Sequence, residues 1–171
     1  DLIGRDWDCA IRIGELPDSS LVARRLGTVR WITCAAPAYL ERAGEPRTPE
    51  DLLRHNCLGF MPVGERTPLP WQFARDGRTA HVAVRGNVIM DSLDPLLDAA
   101  VAGVGMVQVD ASTARALLAE HRLQRVLADF EADGPPIMLI ASGRRQMPPK
   151  VAAFGEFVAS LLTESGGQGA L

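Results

Sequence analysis

Apolar positions along the chain switch repeatedly between a spacing of two and a spacing of three or four. The clearest switch lies in Asn87–Val109, NVIMDSLDPLLDAAVAGVGMVQV. Asn87–Met90 predicts a short strand, with Asp91 as a candidate N-cap and Asp94 as the second carboxylate of a capping-box-like start. Pro95 is compatible with a helix only because it falls in the first turn. Leu93, Leu96, Leu97, Ala100, Val101 and Val104 then recur at helical spacing and predict one broad apolar face. Gly103 and Gly105 end the helix, and Met106–Val109 begins a buried strand. In open α/β sheets, ligands bind where strand ends meet helix N-termini. The amides around Asp91–Leu93 are therefore the first candidates for contact with an anionic small molecule.

The flanking segments follow the same logic. Asp8–Gly14 alternates as a strand, with Cys9, Ile11 and Ile13 on one face and Gly14 as its stop. Glu15–Ser20 reads as a polar turn, Leu21–Leu26 as an extended segment or second strand closed by Gly27, and Val29–Ala36 as a further strand. Ala38–Ala43 predicts a short helix, and Thr48 is placed to cap another over Pro49–Arg54. Leu58–Val63, Trp71–Arg75 and Thr79–Arg85 predict strands, the last two joined by an Asp76-Gly77 hairpin turn. Asp110–Leu118 predicts a helix capped by Asp110 or Ser112, and Leu123–Leu127 a strand. Glu131–Pro136 reads as a breaker stretch before a last strand at Ile137–Ala141. Pro148–Leu162 predicts an amphipathic helix with Val151, Phe154, Phe157, Val158, Leu161 and Leu162 on its apolar face, followed by a Gly-rich tail. Strands and helices alternating through short connections indicate an α/β fold.

Composition narrows the function. The 171 residues carry a net charge of -3, which gives no global basic field for nucleic acid. No apolar run reaches the roughly 18–20 residues of a membrane span. The opening Asp1, with no leader-like pattern before Trp7, leads to the expectation that the chain is a piece of something longer. Cys9, Cys34 and Cys57 suit neither a metal motif nor a disulfide framework, which fits a reducing compartment. His55, His81 and His121 have no ligand spacing, and no nucleophile elbow or HExxH motif is present. Gly103-Val-Gly105 follows a helix and precedes a strand, the reverse of a dinucleotide fingerprint. No spacing singles out a catalytic pair among Glu15, Asp18, Asp91, Asp94 and Asp98, which serve as well as caps and solvated turns. Arg24-Arg25 and Arg144-Arg145 are basic pairs suited to ion pairing or to an anionic contact. The expectation is no enzyme, no metal and no cofactor.

Three runs carry a resemblance: Asp8–Gly27, DCAIRIGELPDSSLVARRLG; Cys34–Leu58, with its Pro-x-Tyr-Leu and Pro-x-Asp-Leu-x-x-His-x-Cys elements; and Leu96–Val109, LLDAAVAGVGMVQV. Together they resemble the C-terminal effector-binding domain of LysR-type transcriptional regulators, in register from about Asp1 to Leu162. The resemblance implies a two-lobed fold of the type-2 periplasmic-binding-protein kind, with two crossing strands as hinge and a small-molecule effector between the lobes. Lobe one is expected at residues 1–32 and 142–163, the crossings at 33–36 and 137–141, lobe two at 37–136, and a flexible tail at 164–171.

By position, the resemblance assigns effector contacts to Ile13, Gly14, Leu16, Cys34, Ala35, Phe60, Val63, Asn87, Met90 and Asp91. It further implies a cytoplasmic protein that self-associates as a dimer or tetramer and touches DNA only through an N-terminal winged helix-turn-helix not seen in this sequence. The family's strand, helix and strand ahead of DCAIRIG are likewise not seen, so lobe one is expected to be truncated. A transport-type solute-binding domain of the same fold is the alternative. The unpaired cysteines and the lack of an export signal weigh against it.

Overall fold

The computed structural model describes residues 7–15, 21–142 and 147–166. In chain order the elements are β1 (Cys9–Ile13), β2 (Leu21–Ala35), α1 (Pro37–Ala43), a 3-10 helix (Pro49–Arg54), β3 (Gly59–Phe60), β4 (Trp71–Arg75), β5 (Arg78–Val82), β6 (Ile89–Met90), α2 (Leu93–Val101), β7 (Val107–Asp110), α3 (Ala111–Ala119), β8 (Gln124–Val126), a 3-10 turn (Ala128–Phe130), β9 (Ala132–Ser142) and α4 (Pro149–Gly166). The α/β class expected from the sequence is the one observed. The chain divides into two units, Asp1–Val29 with Gly134–Leu171 and Arg30–Asp133, and β2 and β9 run through both boundaries. The crossings expected at 33–36 and 137–141 lie a few residues beyond those boundaries.

In the first unit the sheet order is β1-β9-β2. β1 runs antiparallel to β9 with Cys9 opposite Ala141, Ile11 opposite Leu139 and Ile13 opposite Ile137. α4 covers that face through Val151, Val158 and Leu162, which pack with Leu26, Leu139 and Ala141. A Cβ at Gly155 would stand 2.6 Å from the Leu139 side chain, so the missing side chain lets the helix lie close on the sheet. The predicted apolar face of α4 is corrected here. Phe154, Phe157 and Leu161 are 43%, 60% and 46% exposed, while Val151 is buried. The apolar residues form two adjacent stripes, and the sheet covers one.

In the second unit β2 is flanked by β7 and β8, both antiparallel to it. One core gathers Ile32, Cys34, Leu58, Leu96, Ala100, Val107 and Val109 beneath α2 and α3. Another gathers Ala35, Tyr39, Leu52, Trp71, Phe73 and Met106. The β4–β5 hairpin turns at Asp76 and Gly77, both with positive φ (51° and 73°), as a two-residue turn matching the strand twist requires. Gln108 holds the hairpin to the sheet: its Oε1 accepts from the Gln72 N–H at 2.8 Å and its Nε2 donates to the Gln72 carbonyl at 2.9 Å.

Several expected boundaries change. Leu21–Leu26 and Val29–Ala36 are one 15-residue strand, because Gly27 keeps extended backbone instead of turning. The breaker stretch is itself strand, since a proline forfeits only its N–H. The Pro136 carbonyl still accepts from the Gly14 N–H at 2.9 Å. Leu58–Val63 shrinks to Gly59–Phe60 and Asn87–Met90 to Ile89–Met90, two short segments paired in parallel. Asp110 caps α3 by accepting from the Ser112 N–H at 3.0 Å. At Pro49–Arg54 the Asp51 carboxylate accepts from the Arg47 and Thr48 N–H groups, both at 2.9 Å. Those amides and the Arg54 guanidinium lower its pKa to about 2. The turn of residues 16–20, the basic pair Arg144-Arg145 and the end of the tail lie outside the described residues.

Gly86 provides a test of the packing. A Cβ there would sit 1.9 Å from the Cys57 carbonyl oxygen, a backbone atom that cannot rotate away. Gly86→Ala should lower unfolding free energy by about 1–3 kcal/mol, read as a lower urea midpoint at unchanged slope.

Candidate effector site

The segment Asn87–Leu93 is positioned by a junction of three chain segments. Asn56 receives the Met106 N–H on its carbonyl at 2.8 Å, and the Leu58 N–H reaches the Met106 carbonyl at 2.8 Å, which forms a parallel bridge. Cys57 N–H donates to the Arg85 carbonyl at 3.0 Å and Gly59 N–H to the Val88 carbonyl at 2.9 Å, bringing the third segment alongside. The Asn56 side chain closes the junction. Its Nδ2 donates to Asn87 Oδ1 and to the Val104 carbonyl, both at 2.8 Å, and its Oδ1 accepts from the Asn87 N–H at 2.9 Å. Its own N–H donates to the Tyr39 hydroxyl at 2.9 Å. A Cβ on Gly105 would lie 2.3 Å from the Asn56 carbonyl oxygen, so these backbones meet only because glycine is there. The sequence marks Asn56 only as the residue between His55 and Cys57, and side-chain bridging of distant loops has no periodic signal.

α2 starts at Leu93 with Ser92, not Asp91, at the N-cap, and no side-chain cap bond is made there. Asp91 thus stands just ahead of the cap, because β6 keeps the backbone extended through Met90. The Ser92 side chain caps none of the first-turn amides of α2, which come from Leu93 and Asp94 because Pro95 has no N–H, and the buried face (Leu96, Leu97, Ala100) matches the sequence pattern.

The residues assigned by resemblance fall into distinct environments. Phe60 and Met90 are opposite each other in the β3–β6 pair and pack against the core that contains Cys34. Cys34 and Ala35 are fully buried, Ala35 in the second core. Asn87 and Asp91 are exposed, and Val63 is 87% exposed in the loop after β3. Ile13 and Gly14 belong to the other unit, and Leu16 lies outside the described residues. Glu45, Arg47, Asp129 and Phe130 line an open depression of about 500 Å³, which includes none of the expected residues.

Titratable groups near the junction are muted. Burial pushes the thiols of Cys34 and Cys57 up to about 12, against an ordinary value of 9.0. Burial raises the Tyr39 hydroxyl and lowers His55, whose Nδ1 lies 3.3 Å from that hydroxyl. Arg42 donates to the Gly103 carbonyl at 2.8 Å at the end of α2 and stacks over the Tyr39 ring. Glu131, its side chain 6% exposed, is neutralised by Arg30 at 3.1 Å and Arg125 at 2.8 Å. Among the described residues, no three His, Cys, Asp or Glu side chains cluster to hold a metal, and no helix is long and apolar enough to cross a membrane.

The family model described as the LysR substrate binding domain matches residues 1–163. The chain belongs to the LysR substrate-binding-domain family. It is 30% identical over 164 residues to YhjC of Escherichia coli, an uncharacterized helix-turn-helix-type transcriptional regulator, covering 96% of this chain and 55% of that protein. A helix-turn-helix-type regulator of Xanthomonas campestris is 33% identical, covering 95% of this chain and 48% of that protein. The chain thus spans about half the length of these curated relatives. Among solved structures, the regulatory domain of CrgA, a LysR-type regulator from Neisseria meningitidis, superposes with a TM-score of 0.77 at 28% identity, covering 94% of this chain and 78% of that one. Full-length AphB, the Vibrio cholerae virulence activator, gives 0.76 at 30% identity, covering 94% and 54%.

The buried thiols generate a prediction. At pH 8 a disulfide reagent should label Cys9 rapidly and reach Cys34 and Cys57 only after unfolding, as followed by peptide mass spectrometry of timed samples. An unfolded thiol titrates near 9 and these two near 12, so their contribution to stability is full below pH 9 and declines between pH 9 and 12. The Cys34→Ala/Cys57→Ala pair should flatten that decline.

Proposed function

We propose that this LysR-family domain senses a small molecule against the Asn87–Leu93 segment and passes the response to DNA-binding domains elsewhere in a longer polypeptide. The observation that supports it best is the pairing of a helix start without a side-chain cap and a strand end pinned by Asn56. The amides there offer hydrogen bonds and a partial positive charge to an anion, and the bracket holds them in place before ligand arrives. Small organic acids are the first candidates. Exposed Asp91 beside those amides repels an anion, so a polar neutral or cationic effector is the second class. A ligand that prefers one arrangement of the domain shifts its population, which is what regulation requires.

The same reading makes the whole protein a cytoplasmic, self-associating transcription regulator without turnover, and DNA contact belongs to a segment outside this chain. The relatives are described as transcriptional regulators, so the transport reading is not favoured.

The test uses the full-length regulator with a panel of small carboxylates, neutral polar compounds and amines in a thermal-shift assay. A ligand at about 100 times its dissociation constant should stabilise the fold by about 2.7 kcal/mol. Asn87→Ala and Asp91→Ala should each change that ligand's affinity about tenfold or more; Asp91→Ala should leave the unliganded melting temperature nearly unchanged, whereas Asn87→Ala also removes an acceptor of Asn56 and should lower it by a few degrees. Unaltered affinity in both variants would place the ligand elsewhere.

A further inference from the structure

The open depression in the larger unit is built by two loops that the Asn87–Leu93 segment does not use. One loop leaves α1. Gly44, with φ 83°, turns the chain while its N–H donates to the Leu40 carbonyl at 2.8 Å, and Glu45, Pro46 and Arg47 follow. The Asp51 carboxylate fixes the far end of this loop by accepting from the Arg47 N–H at 2.9 Å. The other loop leaves β8. Leu127, only 7% exposed, holds the left-handed conformation (φ 55°, ψ 37°), which a residue with a Cβ rarely adopts. It leads into the 3-10 turn Ala128–Phe130, where the Phe130 N–H donates to the Leu127 carbonyl at 2.9 Å. Arg75 of β4 lies over the Phe130 ring, 5.2 Å from its centre, and the next residue, Glu131, is held by Arg30 and Arg125. Both walls therefore stand before any ligand arrives. Backbone strain that its surroundings hold in place clusters at binding sites.

The charges on these walls are unlike the others in the chain. Asp8, Asp51, Glu131 and Glu156 each have a basic partner. Glu45, Arg47 and Asp129 are exposed, and among the described residues no side chain pairs with any of them. Beside them Pro46 and Leu127 are buried and Phe130 is half-buried. About 500 Å³ thus combines two carboxylates, one guanidinium and an apolar surface, within the size range of small-molecule sites. A simple anion would meet the two carboxylates, and a simple cation would meet Arg47. A molecule carrying both charges answers all three.

We infer that this depression binds a free amino acid with an apolar side chain. Its ammonium would lie toward Glu45 and Asp129, its carboxylate on Arg47 and its side chain against Leu127 and Phe130. The site shares no residue with Asn87–Leu93, so it stands or falls independently of the effector reading.

The experiment titrates the full-length regulator with L-phenylalanine, L-leucine and L-methionine by isothermal calorimetry. It is repeated with the amine and the acid left when the tightest binder loses its carboxylate or its ammonium (phenethylamine and 3-phenylpropionate for phenylalanine). At least one amino acid should bind saturably, and each one-charge analogue about tenfold or more weakly, the loss of one charge-assisted contact. Arg47→Gln should weaken the amino acid and the acid about tenfold and leave the amine unchanged. Asp129→Asn should weaken the amino acid and the amine and leave the acid unchanged. Neither side chain has a partner to lose, so the unliganded melting temperature should hold in both variants. Asp91→Ala should leave the amino acid's affinity unchanged, which separates this site from the Asn87–Leu93 segment. Absence of binding by all three amino acids would overturn the proposal. So would equal affinity for the one-charge analogues, or binding that Asp91→Ala removes while Arg47→Gln and Asp129→Asn do not.

Discussion

The Arg30–Asp133 unit depends on the backbone junction at Asn56. Three segments far apart in sequence, at 56–59, 85–88 and 104–106, converge where two of them come closer than any side chain allows, at Gly86 and Gly105. Where that backbone is buried, at Cys57–Gly59 and at Gly105 and Met106, each polar group must find a partner. Asn56 meets the requirement with its N–H, carbonyl, Nδ2 and Oδ1 all engaged. Neither an aspartate, which has no amide donor, nor an alanine could serve all of them. The apolar cores then form on either side of the junction, with Leu58, next to the bridge, buried in one and Met106, a bridge partner, in the other.

The other unit is held differently. No polar bracket is described there. A helix approaches a sheet at Gly155 and is oriented by ion pairs on its two flanks, Lys150 with Asp8 and Arg24 with Glu156. Those pairs are solvent-exposed and contribute little to stability, so apolar burial at Val151, Leu139 and Leu26 does the holding. The burial extends over one stripe of the helix only.

What was legible in the sequence follows from which forces are local. The α2 face, the Asp76-Gly77 turn and the cap at Asp110 depend on residues within one or two turns of each other, and the sequence displays them directly. The α4 helix was legible as a helix but not in its facing. Two adjacent apolar stripes look like one broad face until the sheet's position and the ion pairs are known. Gly27 and Pro135-Pro136 read as breaks because their local meaning is interruption, and tertiary pairing overrides it. The LysR resemblance assigned Asn87–Asp91 to the proposed effector site by position. It could not say that Asn56 holds it, that Ser92 rather than Asp91 is the cap, or that Cys34 and Ala35 have no exposed surface.

The distribution of rigidity within the larger unit bears on how a sensing domain can work. At one end, Asn87 is fixed by two hydrogen bonds to Asn56. At the other, α2 is fixed by a buried face and by Arg42 closing on the Gly103 carbonyl. Between these anchors lie exposed Asp91 and the uncapped amides, and across the two-residue β3–β6 pair lies the loop holding Val63. A ligand that gained its affinity only by ordering loose backbone would lose part of it to entropy. At the proposed site the amide donors are already ordered, and that cost would fall on the Val63 loop. Discrimination among ligands would then come from side chains on that loop and from the charge at Asp91, while the Asn56 junction stays common to whatever the domain binds.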